Sequence, residues 1–160
     1  IMQMVDIATL KVDAAVGGID QRKIHMLARE HLPSAGFAAP VCIHTPILNG
    51  LDGKKMSSSS GNYISVADTA ETIEKKCQKA FCPPECEENP ILQILQYHIL
   101  PRNETIVVKR PEKFGGDREF SSYQDIEDAY RRGEIHPLDL KKTAGRYMAE
   151  ILSCVRDYMQ

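Results

Sequence analysis

Residues 11–43 hold a pattern that belongs to a parallel sheet. Residues 11–16 alternate apolar and polar side chains, with Val12, Ala14 and Val16 in step, and stop at Gly17-Gly18. A period of two running into paired glycines predicts a strand followed by a turn. From Ile19 to Leu32, the apolar residues Ile24, Leu27 and Ala28 recur at helical spacing, and Pro33 closes the segment. Val41-Cys42-Ile43 is a short apolar run, expected to be a buried strand. Strand, glycine turn, helix and strand make a βαβ unit. A short helix over residues 2–9 precedes it.

Residues 49–62 break all periodicity. Gly50, Gly53, Gly61, Lys54-Lys55 and Ser57 to Ser60 make a flexible loop rich in amide and hydroxyl donors. Beyond it, Asp68 followed by Glu71 is a capping signature for a helix over 69–81. Ile91, Leu92, Ile94, Leu95 and Ile99 mark a second helix, and Thr105 to Val108 a short strand. Tyr123 to Arg132 predicts a third helix ended by Gly133. Ala144, Tyr147, Met148, Ile151, Leu152, Val155 and Met159 predict one amphipathic helix from 137 to the end. The fold class is therefore α/β over residues 1–67 and mostly helical over 68–160. No internal repeat is visible.

Composition narrows the function. With 42% hydrophobic and 26% charged residues, collagen-like, coiled-coil and wholly disordered chains are excluded. No apolar run approaches the ~18 residues of a membrane helix, so no membrane partner is expected. Trp is absent, which predicts a mostly aliphatic core. The net charge of −2 excludes a protein that coats nucleic acid nonspecifically, while leaving room for a local RNA contact. Five cysteines, an odd number, with no secretory leader, predict a reducing, cytoplasmic setting. Cys82-Pro-Pro-Glu-Cys86 is the one tight pair, with only Cys77 and His98 near enough to complete a zinc site. Free thiols and no metal are the expectation. The start at Ile1-Met2-Gln3 predicts a piece of a longer protein.

Four stretches carry a family resemblance. They are Met2-Gln3-Met4-Val5-Asp6; Val12 to Lys23, containing Gly17-Gly18-Ile19-Asp20-Gln21-Arg22-Lys23; Lys55-Met56-Ser57-Ser58-Ser59; and Lys113-Phe114-Gly115-Gly116 with His136-Pro137-Leu138-Asp139-Leu140-Lys141. In this order and spacing the whole chain resembles the C-terminal half of tyrosyl-tRNA synthetases of the archaeal and eukaryotic type. The GGxDQRK stretch is specific, whereas KMSSS alone indicates only a class I aminoacyl-tRNA synthetase.

The resemblance implies the second half of a Rossmann-type parallel-sheet domain followed by a helical anticodon-binding domain. It implies a ligase that activates tyrosine with ATP, taken as its Mg2+ complex, to tyrosyl-adenylate and then charges tRNA-Tyr. It implies no tightly bound cofactor, and a homodimer in the complete enzyme. The HIGH-type ATP motif of the family is expected upstream of this chain, so the 160 residues alone are expected to lack ligase activity. Other classes remain open. One is a noncatalytic tRNA-anticodon-binding module, which an upstream HIGH-type segment would argue against. Others are the sister enzyme for tryptophan and a zinc or redox protein using Cys82 and Cys86.

Tyrosine presents a carboxylate already ionised at neutral pH, so adenylate formation needs positioning and charge neutralisation rather than a general base. Lys55 on a mobile loop suits that role, with Ser57 and Ser58 as hydroxyl donors and Lys54 in support. The family's KMSKS consensus has a second Lys where this chain has Ser58, which puts more of the role on Lys55. A solvated Ser-rich linker is the plainer reading of the same residues. By resemblance, Gln3 and Gln21 hold the amino and carboxylate ends of tyrosine and Asp6 faces its phenol. Ordinary helix-surface polarity would explain Gln3 and Asp6 equally. By resemblance, Gly18 and Asp20 meet the adenylate ribose, and Ile47 and Leu48 meet adenine through the backbone. Asp20 also suits a helix N-terminus. His25 and His31 are expected to be structural, and His44 to lie near the nucleotide without an assigned role.

The resemblance also implies that Phe114 and His136 sandwich the first anticodon base, a guanine, while Asp139 accepts from its Watson–Crick edge. Lys113, Lys141 and Lys142 would meet phosphates. A loop anchor and a residue favoured by the helix dipole are the plainer readings of Phe114 and Asp139.

Overall fold

The computed structural model describes residues 2–159, which form two compact units dividing between Ile47 and Leu48. In the first unit, α1 spans Met2–Thr9, β1 Ala14–Gly18, α2 Arg22–His31 and β2 Val41–Thr45. The strands pair in parallel, with Val16 opposite Ile43 and Gly17 opposite His44. The βαβ reading therefore holds.

Two details differ. β1 runs through Gly17-Gly18 instead of stopping there, because Gly18 is itself extended (φ −63°, ψ 158°). The turn is made by a 3-10 segment over Ile19–Gln21. The strands are also not buried as the alternation suggested. Ala15 faces the core, while Val16, Val41 and Ile43 are 66%, 59% and 50% exposed. Side chains alternate across a strand, and only the Ala15 face is packed, by Ile7, Ala28 and Leu32. α2 turns His25, Ala28 and Leu32 inward, so a histidine holds a core position that the apolar pattern gave to Ile24 and Leu27.

The second unit is mostly helical. α3 spans Ala70–Lys79 and α4 Pro90–Ile94, the latter continuing through a π-helical turn at Leu95–Ile99. β3 (Ile106–Val108) and β4 (Arg118–Phe120) form an antiparallel pair. α5 spans Tyr123–Arg131, α6 Pro137–Ile151 and α7 Ser153–Met159. The cap of α3 is Thr69, whose hydroxyl accepts from the Thr72 N–H at 3.2 Å, and not Asp68. Asp68 is already engaged, accepting from the Ser65 N–H at 2.8 Å and pairing with Lys76 at 2.5 Å.

The single helix expected from 137 onward is two, parted at Leu152 (φ −86°, ψ −3°). The Arg156 guanidinium donates to the Ala149 carbonyl there, at 2.8 Å. That expected helix extended to Gln160, which lies outside the described residues.

Ile73, Ile91, Leu95, Ile106, Ile126 and Leu140 are fully buried at the centre of this unit. α3 and α6 cross at Gly145, where a Cβ would lie 3.1 Å from Glu74 Cα and 3.3 Å from Cys77 Cβ. Burial and the nearby Glu74 push the Cys77 thiol up to about 12. Cys82 accepts from the Asn89 amide at 3.5 Å, and Cys86 points its thiol at the Glu127 carbonyl at 3.9 Å. No helix among the described residues is long and apolar enough to cross a membrane.

The loop over residues 49–62 belongs to the second unit by packing. Leu51 enters its core, and the Leu51 carbonyl accepts from the Phe81 N–H at 2.6 Å.

Candidate functional site

Three clusters gather the residues singled out in the sequence, one in the first unit and two in the second. In the first unit, Gly18, Asp20 and Gln21 meet at the carboxyl end of β1. Open parallel sheets bind ligands outside the carboxyl ends of their strands. The Gln21 amide donates to Asp20 Oδ2 at 2.9 Å. A Cβ on Gly18 would lie 2.5 Å from Asp20 Oδ1, so a side chain there would displace the carboxylate.

Gln3 is half-buried on α1, and its Nε2 lies 3.4 Å from His25 Nε2. His25 Nδ1 lies 3.1 Å from Nε2 of His44 at the end of β2. Partial burial, then the charges of His25 and Arg22, lower the pKa of His44. Asp6 lies one turn beyond Gln3 and is exposed, as is Ile47.

In the second unit, the Lys55-Met56-Ser57-Ser58-Ser59 segment is tied at its base and open at its tip. Asn49 and Lys55 form an antiparallel bridge, and the Gly50 N–H donates to the Lys54 carbonyl at 2.7 Å. The organising side chain is Asn62. Its amide donates to Asp52 Oδ1 at 2.7 Å and to the Lys55 carbonyl at 3.2 Å, and its oxygen accepts from the Ser57 N–H at 3.0 Å. The Asn62 bond, then the Lys54 N–H, hold the Asp52 carboxyl below its usual range.

Ser57 Oγ lies 2.7 Å from Ser59 Oγ, while Lys54, Lys55 and Ser58 are exposed. Leu48 lies at the start of the unit, half-buried. Nothing in the motif marks Asn62 or Asp52. The one available signal is an Asn flanked by the Gly61 turn and an apolar stretch.

The third cluster is a pocket of about 580 Å3 lined by Arg110, Phe114, His136, Asp139 and Lys142, among others. Phe114 ends a 3-10 turn over Glu112–Phe114 and is 57% exposed. Gly115 and Gly116 follow at φ 98° and 70°, left-handed backbone that suits glycine and turns the chain sharply after the ring. His136 caps α6, its Nδ1 accepting from the Leu138 N–H at 3.2 Å. Asp139 lies in the first turn of α6, paired with Arg110 Nε at 3.6 Å with both side chains largely buried.

That Arg110 nitrogen makes no hydrogen bond. Sequence reasoning missed Arg110, which stands in a basic Lys109-Arg110 pair with no spacing rule linking it to Asp139. Lys113 lies over the Phe114 ring at 4.9 Å, and Lys142 lines the pocket.

The comparisons with known proteins agree with these motifs. The family model for class I tRNA synthetases (W and Y) matches residues 1–153. The tyrosine–tRNA ligase of Methanoculleus marisnigri is 71% identical over 159 residues, covering 99% of this chain and 50% of that protein. The crystal structure of the Archaeoglobus fulgidus tyrosyl-tRNA synthetase, complexed with L-tyrosine, matches with a TM-score of 0.91 at 57% identity. It covers 99% of this chain and 50% of that one. The Pyrococcus horikoshii tyrosyl-tRNA synthetase matches with a TM-score of 0.88 at 31% identity, covering 99% of this chain and 51% of that one. The chain spans about half the length of the curated relatives it matches. By its motifs, its fold and these matches, the chain belongs to the class I tRNA synthetases of the tryptophan and tyrosine family.

Proposed function

We propose that these residues serve tyrosine–tRNA ligation, with 1–67 contributing to the catalytic Rossmann-type domain and 68–160 forming the anticodon-binding domain. The observation that carries the reading is the convergence of Phe114, His136 and Asp139 on one pocket. An aromatic ring and an imidazole give an unstacked base two faces to lie between. A carboxylate accepts from the ring N–H and amino group of guanine. Arg110 keeps that carboxylate paired until the base arrives, and Lys142 offers charge to a phosphate.

In the catalytic part, Gln3 and Gln21 hold the amino and carboxylate ends of tyrosine, and Asp6 its phenol. Gly18 and Asp20 meet the ribose, and the backbone at Ile47 and Leu48 meets adenine. Lys55, with Ser57 and Ser58, neutralises charge on the departing pyrophosphate of ATP, which arrives with its Mg2+. The tied base and open tip of the loop support this, because a charge on a tip can approach the phosphates as charge builds there. The full-length protein is proposed to be a cytoplasmic homodimer.

The test is binding of tRNA with a GUA anticodon against the same tRNA with its first anticodon guanine replaced by adenine, at one stated salt concentration. A loss of about 10- to 100-fold is expected on replacement, the usual cost of one misread base. Asp139→Ala should remove the difference. Equal binding of the two tRNAs by the unaltered protein would overturn the reading. A noncatalytic anticodon-binding module is favoured by one observation: all the pocket's residues lie in the second unit. Tyrosine-dependent exchange of pyrophosphate into ATP by the full-length protein separates the two.

A further inference from the structure

Gln3, His25 and His44 stand in line in the first unit, from α1 through α2 to β2. Gln3 Nε2 is 3.4 Å from His25 Nε2, and His25 Nδ1 is 3.1 Å from His44 Nε2. We propose that His25 is a positioning residue for tyrosine: it holds the Gln3 amide in the orientation that leaves Oε1 for the substrate ammonium, and His44 holds His25 in the tautomer this requires. The proposal rests on the reading that Gln3 binds the amino end of tyrosine.

Each hydrogen bond takes one donor and one acceptor. An amide nitrogen only donates, so His25 Nε2 accepts, and the ring proton sits on Nδ1. That proton is donated to His44 Nε2, which leaves the His44 proton on Nδ1. His25 is 1% exposed, so water does not compete for its nitrogens. Gly17 leaves room for the ring, since a Cβ there would lie 3.3 Å from His25 Cε1. With its NH2 committed to His25, the Gln3 amide turns its oxygen the other way. An ammonium group needs an acceptor, and the opposite amide orientation would meet it with N–H groups.

The line also runs in reverse. Protonating His44 puts a hydrogen on Nε2, so His25 Nδ1 must accept and its own proton moves to Nε2. Gln3 must then turn its oxygen inward and its NH2 toward the ammonium. The charged and titratable groups facing His44 are His25 and Arg22, both on α2. β1 offers it only the uncharged Gly17, opposite it in the sheet. Facing His25 are His44 and, from α1, the uncharged Gln3.

The experiment is tyrosine-dependent ATP–pyrophosphate exchange by the full-length protein, followed from about pH 8 to about pH 4.5, a window that reaches below the ordinary histidine value because that of His44 is lowered, and in which the ammonium of tyrosine does not titrate. The expected result is a KM for tyrosine that is flat at the upper end and rises on the acid side of histidine's ordinary value, by at most about tenfold, the cost of one hydrogen bond to a charged group, with KM for ATP flat. In His44→Phe, KM for tyrosine should lose its pH dependence. At the upper end of the range, His25→Phe should raise KM for tyrosine about tenfold with kcat little changed, and add nothing once Gln3→Ala is present.

A flat wild-type profile, an unchanged slope in His44→Phe, or a full additional effect of His25→Phe on Gln3→Ala would overturn the proposal. If His25→Phe fails to fold, the pH profiles of the wild type and His44→Phe still decide. Gln3→Ala separates the two levels of the argument. An unchanged KM for tyrosine in that variant overturns the reading of Gln3 itself. A raised KM keeps that reading whatever becomes of His25.

Discussion

Asn62 organises the KMSSS loop without belonging to its motif. The side chain is almost fully buried and joins Asp52, the Lys55 carbonyl and the Ser57 N–H. It also fills the space beside Gly50, where a Cβ would overlap its amide. Asn62→Ala would strand the Lys55 carbonyl and the Ser57 N–H. The expected cost is about 1–3 kcal/mol of stability. Thermal unfolding would report it, and faster proteolysis within residues 54–60 would localise it.

Legibility differs among the site residues for a physical reason. Phe114, His136, Asp139, Lys55 and Gln21 stand in local motifs, and the motif brought them out. Arg110 and the His25–His44 contact act through partners distant in sequence, and Asn62 through residues of its own loop that no spacing rule ties to it. Arg110 meets Asp139 across β4 and α5, which lie between them in sequence. His25 reads as a break in an apolar stripe, and its two partners lie on α1 and β2.

At the scale of elements, α3 and α6 pack closely where they cross, and Gly145 permits it. The nearest obstacle to a side chain there is Glu74 Cα, which is backbone and cannot swing away. Gly145→Leu should therefore separate the helices and cost about 1–3 kcal/mol of stability, the usual range for overpacking, seen as a lower denaturation midpoint. A midpoint equal to the wild type would show that α3 shifts without cost.

Periodicity revealed α1, α2, α5 and the βαβ order, because one face of each meets a core and the other meets water. It failed where one residue had two possible uses. Asp68 and Thr69 both suit a helix cap, and the Lys76 pairing took Asp68 out of contention. β4 went unread because Arg118-Glu119-Phe120 carries two charges in three residues. One of those charges, Arg118, pairs with Glu134, just past the turn that follows α5.

For the molecule as a whole, that pairing makes part of the stability depend on acidity. The Arg132 side chain, then Arg118, draw the Glu134 carboxyl down to about 2 from its ordinary 4.5. A carboxyl depressed in the folded state contributes its stabilisation fully above the unfolded value, and loses it as pH falls through the folded one. Glu134→Gln should therefore destabilise the protein by a constant amount above about pH 4.5, with the gap to the wild type closing toward pH 2. Urea midpoints measured along that range give the curve, and a gap independent of pH would contradict it.

The two packed units are unequal. The first has Ile7, Ala15, Ala28 and Leu32 at its centre and a two-stranded parallel sheet with one apolar face open. The second has a broad aliphatic interior. Backbone amides report such a difference as depth of protection, since a segment opens at the free energy of its own smallest cooperative piece. In deuterated water, the N–H groups of β1 and β2 would then exchange through shallow local opening, while those of α3 and α6 would wait for the second unit to come apart. The Gln3–His25–His44 line lies in the first unit, so a substrate that gripped it is expected to register first as slowed exchange along those two strands.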